Sequence, residues 1–126
     1  MRNVGSGSFE IKVQRQEEGT DSVTAESVTY IAMAAGSGTE QSATFETFSS
    51  SPFDEVWSTQ SFGTSHSSPA LFAQNMTNAG ADVCAVRYDT LTGSSVDILI
   101  EEEQSTDAEI GHANETVGFF VIDLGY

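Results

Sequence analysis

Residues 96–101 alternate Val96, Ile98 and Ile100 against Asp97, Leu99 and Glu101, a period of two that puts three aliphatic side chains on one face of a strand. Residues 116–124 form a nearly continuous run of β-branched and aromatic side chains, which predicts a strand covered on both faces. Earlier in the chain, residues 9–16 read as a strand. So do residues 22–34, with Val28, Tyr30 and Ala32 on one face and Ile31 and Met33 on the other. Residues 43–48 alternate Ala43, Phe45 and Thr47 with polar partners, as at a sheet edge, and 49–52 break the run at Pro52. Further strands are expected at 55–62, carrying Val56, Trp57 and Phe62, at 70–76, where a short helix is the alternative, and at 83–88. Turns rich in Ser, Thr and Gly separate these runs, and no window sustains apolar residues at helical spacing. The expected fold is all-β, an antiparallel sandwich of about seven to nine short strands with almost no helix.

The pattern occurs twice. Phe9, Ile11 and Val13 correspond to Val96, Ile98 and Ile100, and residues 26–32, ESVTYIA, correspond to 115–121, ETVGFFV. A repeat of this kind is one supersecondary unit used twice. The first copy lacks the counterpart of residues 57–88, so the chain is about one and a half units long. The expected organisation is the second half of a first unit at 1–36, contributing two strands, then a linker and edge strand at 37–52, then a complete unit at 53–126, packed as one domain. The Gly/Ser-rich stretch 36–42 has linker composition. A missing front half also suggests that the sequence is a piece of something longer.

Nineteen acidic residues against four basic ones give a formal charge of −15. That charge repels nucleic-acid phosphates and anionic membrane surfaces, and it suits a protein in salt water or one that binds cations. No apolar run approaches the roughly 20 residues of a membrane span, and the N-terminal residues contain no hydrophobic signal core. The single cysteine, Cys84, excludes an intrachain disulfide, and its apolar neighbours favour a buried, inert thiol.

The acid concentrates between the last two runs, in Glu101, Glu102, Glu103, Asp107, Glu109 and Glu115, with His112 among them. Calcium takes six to eight oxygen ligands, and Glu101, Glu103, Asp107, Glu109 and Glu115 could supply several; a solvated acidic rim explains them equally well. Alternation turns Glu102 inward, where a carboxylate needs a partner, and Arg15 at the matching position of the first copy is one candidate. His66 and His112 read as surface histidines in polar loops, because a zinc site would want more His or Cys at short spacing. Of the aromatics, Trp57, Phe62, Phe119, Phe120 and Tyr30 read mostly as core, while Tyr88 and Tyr126 are the expected exposed ones. No nucleophile elbow or Ser-His-Asp arrangement is recognisable, and no carboxylate pair is set apart by an apolar pocket, so the chain is not expected to be an enzyme.

The ordered series WSTQSF, PALFAQ, VCAVR, VDILIEEE and HANETVGFFVI, spanning residues 57–122, resembles a repeat of large bacterial surface proteins. That repeat is similar to the H-type lectin domain, a six-stranded antiparallel sandwich. The resemblance implies a carbohydrate-binding or adhesive module, secreted or at a cell surface. The tryptophan and histidine that contact sugar in such lectins fall near Glu103 and Gln104, and their arginine falls near Val83, while Arg87 matches a different arginine. The lectin pocket is therefore not carried over, and other contacts would be needed. The recognition surface expected here comprises Glu103, Asp107, His112, Tyr88 and Arg87, with calcium as the candidate ion and a glycan or further copies of the chain as partners. The alternative is a structural subunit of a self-assembling fibre, in which residues 2–36 complete a neighbour's sheet. An accessory domain of an acidic hydrolase is a third reading.

Overall fold

The alternating run that begins at Val96 and the continuous apolar run that begins at Thr116 supply the central strands of two facing sheets. The structure, a computed structural model, describes residues 1, 3–22 and 24–123. Its strands are β1 (Gly36–Glu40), β2 (Ala43–Phe53), β3 (Ser58–Ser61), β4 (Pro69–Asn75), β5 (Cys84–Asp89), β6 (Ser95–Glu102) and β7 (Glu115–Asp123). One sheet has the order β1-β2-β7-β4 and the other β3-β6-β5, with antiparallel pairing throughout. Among the described residues there is no helix, and the all-β sandwich expected from the sequence is the fold observed.

The core lies between the central strands. Val96, Ile98 and Ile100 of β6 cluster with Val117 and Phe119 of β7 and with Phe53, and Val121 further along β7 is buried as well. Burying each such side chain contributes about 1.5–3 kcal/mol, so these seven residues dominate the cohesion of the two sheets. Phe119 stacks on Phe48 with ring centroids 4.8 Å apart and meets Phe53 edge-on at 5.9 Å.

β7 departs from the two-sided burial expected of it. Glu115, Val117, Phe119, Val121 and Asp123 are buried, but Thr116, Gly118, Phe120 and Ile122 are only half-covered. Both neighbours of β7 are strands of its own sheet, and among the described residues no second sheet covers the outer face, where Phe120 stacks on an exposed Phe72 at 5.7 Å. Strand β4 likewise alternates instead of being buried throughout, and no helix begins there.

Residues 9–16 and 22–34 form no strand among the described residues; Glu10 makes an isolated bridge. Ile11, Val13, Val28, Tyr30, Ile31 and Met33 are exposed. The segment is tied to the sandwich by Glu17 N–H donating to Glu103 at 2.9 Å and Glu18 N–H donating to Ser105 at 3.0 Å. The stretch expected as a linker instead supplies β1, joined to β2 through Gln41 and Ser42 at φ of 47° and 77°. Residues 49–52 do not end β2. The strand continues to Phe53 across a register shift between Ser50 and Phe53, where Pro52 needs no ladder donor. Trp57 lies before β3 and is exposed, as is Tyr30, whereas Phe62 packs partly on the core. Leu124 and Tyr126 lie outside the described residues.

Candidate functional site

Both ends of β7 carry an inward carboxylate, Glu115 at the start and Asp123 at the finish, and each end holds a buried histidine. At the first end Glu115 is 1% exposed. Its carboxylate accepts from the Thr77 hydroxyl and from Ala79 N–H at 2.7 Å, and its Oε1 lies 3.2 Å from Nε2 of His112. The other imidazole nitrogen, Nδ1, is 3.7 Å from Oε1 of Glu102, whose side chain is also buried. Glu102 Oε2 is buried without a hydrogen-bond partner.

Strand register adds the third element. Cys84 pairs with Glu102 across β5 and β6, and directly opposed residues share a face, so its thiol enters the same cluster. Cys84 Sγ accepts a hydrogen bond from Asn75 Nδ2 at 3.1 Å. The cysteine sulfur, a ring nitrogen of His112 and a carboxylate oxygen of Glu115 all lie within 4.8 Å of one another. Gly80 packs on the ring face, where a Cβ would stand 2.9 Å from Nε2 and 3.0 Å from Nδ1, so any larger residue there would displace the imidazole.

Electrostatics follow from these contacts. Burial raises the carboxyl of Glu102, with His112 opposing. Burial also raises Glu115, but the bonds from Thr77, Ala79 and His112 outweigh it and hold the group below its ordinary value. Burial, assisted by the negative charge of Glu115, pushes the Cys84 thiol up to about 11.

At the opposite end, His66 is buried with Nε2 3.4 Å from Glu46 Oε1, and Gly63 N–H donates to Glu46 Oε2 at 3.0 Å. Phe62 meets the His66 ring edge-on at 5.8 Å, and Ser67 donates from its hydroxyl to Asp123 at 2.8 Å. This second cluster pins the β3–β4 loop to β2 and β7. Both histidines, expected on the surface, are thus interior.

Of the residues singled out from the sequence, Glu115 and His112 are brought together. Glu101 lies on the outer face of the smaller sheet, paired there with Arg87. Glu103, half-buried, accepts from Glu17 N–H and from Ser105 N–H and hydroxyl. Asp107 accepts from Glu109 N–H at 3.0 Å in the exposed loop. Tyr88 stands exposed at the end of β5. Among the described residues, Glu101, Glu103, Asp107, Glu109 and Glu115 do not form a ligand group of three; Cys84, His112 and Glu115 do. Glu102 does point inward, and the basic group it meets is His112 rather than Arg15, which is exposed with its stem over Gly19. Cys84 and Asn75 were not legible as site residues, because strand pairing brings them to the site. The signal for His112 was its spacing of three from Glu115.

Fold and site together define an all-β two-sheet module whose buried chemistry is a cysteine–histidine–carboxylate cluster at one end. Its sequence is similar to part of Halomucin from Haloquadratum walsbyi, 30% identical over 129 residues. The alignment covers 99% of this chain but 1% of Halomucin, so the chain spans about one hundredth of that protein. No family model matches the chain, and no solved structure does. The similarity fits the expected unit of a very large protein and gives no support specific to H-type lectins.

Proposed function

We propose that this chain is a non-enzymatic, adhesive β-sandwich module of a very large extracellular protein, working in concentrated salt. One observation carries the reading: a match covering 99% of the chain falls on 1% of Halomucin, as expected if the folded unit is one building block of such an assembly. The matched protein's name, Halomucin, contains the word mucin, which favours a secreted or surface location. A formal charge of −15 agrees, since a dense carboxylate surface keeps its hydration and solubility when salt screens charge. Within this reading a glycan is the favoured partner, with Tyr88, Arg87, Glu103 and Asp107 at the surface that meets it. The test is binding of the labelled chain to a glycan array in molar KCl. Retained signal that falls on Tyr88→Ala supports glycan recognition; no signal on any glycan removes it.

A second reading, self-assembly, is favoured by the segment before β1. Its exposed Ile11, Val13, Val28 and Ile31 belong to neither sheet, while β4 and β5 are edge strands of their sheets. Such a segment can add to the edge of a neighbour. Sedimentation should then show concentration-dependent species that vanish when residues 1–34 are removed; unchanged assembly would dismiss strand addition.

A further inference from the structure

We propose that Cys84, His112 and Glu115 form a metal site for zinc or a zinc-like divalent ion, with Glu102 acting as the positioning residue for the imidazole. The donor set is the first argument. A thiolate, an imidazole nitrogen and a carboxylate oxygen are the ligand types of zinc, whereas sulfur and nitrogen disfavour calcium and magnesium. The three donor atoms converge within 4.8 Å, although β5, the β6–β7 loop and β7 supply them from distant parts of the chain.

Spacing is the second argument. Two ligands on a tetrahedral zinc stand about 3.3 Å apart when each bond is roughly 2.0–2.1 Å. His112 Nε2 and Glu115 Oε1 are already 3.2 Å apart. Cys84 Sγ, within 4.8 Å of the ring nitrogen and carboxylate oxygen of the group, would have to close to about 3.5 Å, the separation set by a Zn–S bond of roughly 2.3 Å.

The outer shell is the third. A metal-bound histidine usually directs its other nitrogen at a carboxylate, which sets the tautomer and ring orientation. Glu102 stands on that side, its Oε1 3.7 Å from His112 Nδ1, and its side chain is 4% exposed. Its Oε2 is buried with no hydrogen-bond partner, so one acceptor of the cluster stays unused. Two buried carboxylates thus face one another across a single imidazole, the only basic side chain paired with either among the described residues. A divalent ion compensates this charge. It also takes the place of the Cys84 proton, which leaves to solvent as the thiolate binds. Asn75 Nδ2, already donating to Sγ, then stabilises the thiolate.

Access is the fourth. A cleft of about 420 Å³ opens beside Cys84, walled by Asn75 and Thr77 on one side and by Lys12 and Gln14 of the N-terminal segment on the other. It reaches the site from the cysteine side, since Cys84 lines the cleft while His112 and Glu115 lie buried behind it.

The experiment uses the full chain, stripped with chelator and titrated with Co²⁺ and then Zn²⁺ in molar KCl, which suppresses loose binding to surface acid. One equivalent of Co²⁺ should produce intense visible bands of a four-coordinate ion and an ultraviolet thiolate charge-transfer band, and Zn²⁺ should displace both. Cys84→Ser should abolish the charge-transfer band and weaken Zn²⁺ at least about 100-fold. Glu102→Gln should keep the band and weaken binding by about 10- to 100-fold. Absence of the band in the unmutated chain overturns the proposal, whether or not the variants fold. So does Zn²⁺ binding that is indifferent to Cys84→Ser but lost on Glu103→Gln and Asp107→Asn, the result expected of carboxylate-loop binding alone.

Discussion

Phe119 and Phe120 are consecutive phenylalanines on β7, and truncating each to alanine separates the two faces of the sheet. Phe119 is 4% exposed and lies against the buried aliphatics of both sheets, with aromatic partners at 4.8 and 5.9 Å. Phe119→Ala removes the ring from a close-packed interior and leaves a cavity, at a cost of about 3–5 kcal/mol. Phe120 faces outward and touches chiefly Phe72, so Phe120→Ala forfeits part of one stacked pair and some half-covered area, about 1 kcal/mol. An unfolding entropy near 2.1 cal/mol/K per residue gives a chain of 126 residues about 0.26 kcal/mol/K. The expected falls in Tm are then roughly 15 °C for Phe119→Ala and roughly 4 °C for Phe120→Ala. Thermal melts followed by far-ultraviolet circular dichroism at one fixed KCl concentration measure both. Equal losses, or a larger loss at Phe120, would place the strand in the opposite register and refute the packing described.

Three further outcomes follow from the same contacts. Glu46→Ala should destabilise the fold by about 1–3 kcal/mol in urea titrations, because it strips the buried His66 and Gly63 N–H of their acceptor; Glu46→Gln should cost less. Bonds from Glu17 N–H and Ser105 hold the Glu103 carboxyl below its ordinary 4.5. The folded chain thus favours the ionised form, and this stabilisation is complete above the unfolded pKa and lost as pH falls through the lower folded value; a carboxyl NMR titration midpoint at or above 4.5 would contradict it. Raising KCl from low to molar concentration should raise Tm, since a formal charge of −15 repels itself most when unscreened.

What the sequence disclosed was set by local pattern. The alternation of Val96, Ile98 and Ile100 placed β6, and the same alternation correctly turned Glu102 inward. Residues 9–34 carry a similar pattern yet form no strand among the described residues, because a strand needs hydrogen-bonding neighbours as well as a face to bury. In the second copy β3 and β5 flank β6, and β2 and β4 flank β7; the first copy has no such neighbours within this chain. β1 was missed because its hairpin turns on Gln41 and Ser42, not the Asn-Gly or Asp-Gly pair that marks left-handed turns. The buried histidines escaped notice for another reason. Glu46, the partner of His66, lies 20 residues away, and Glu102, which flanks His112 at 3.7 Å beside its near neighbour Glu115, lies 10 away; both come close only when strands pair. The convergence of Cys84 on His112 likewise rests on the β5–β6 register, which periodicity alone does not set.

The most direct test of the architecture is amide hydrogen exchange resolved by residue. The amides of Ile98 and Ile100 in β6 and of Phe119 and Val121 in β7 should be the slowest in the chain, opening only with global unfolding, while those of residues 11–16 and 24–34 should exchange within the fastest class. Protection of residues 11–16 and 24–34 comparable to that of β7 would mean that the N-terminal segment pairs into a sheet, and would contradict the sandwich described.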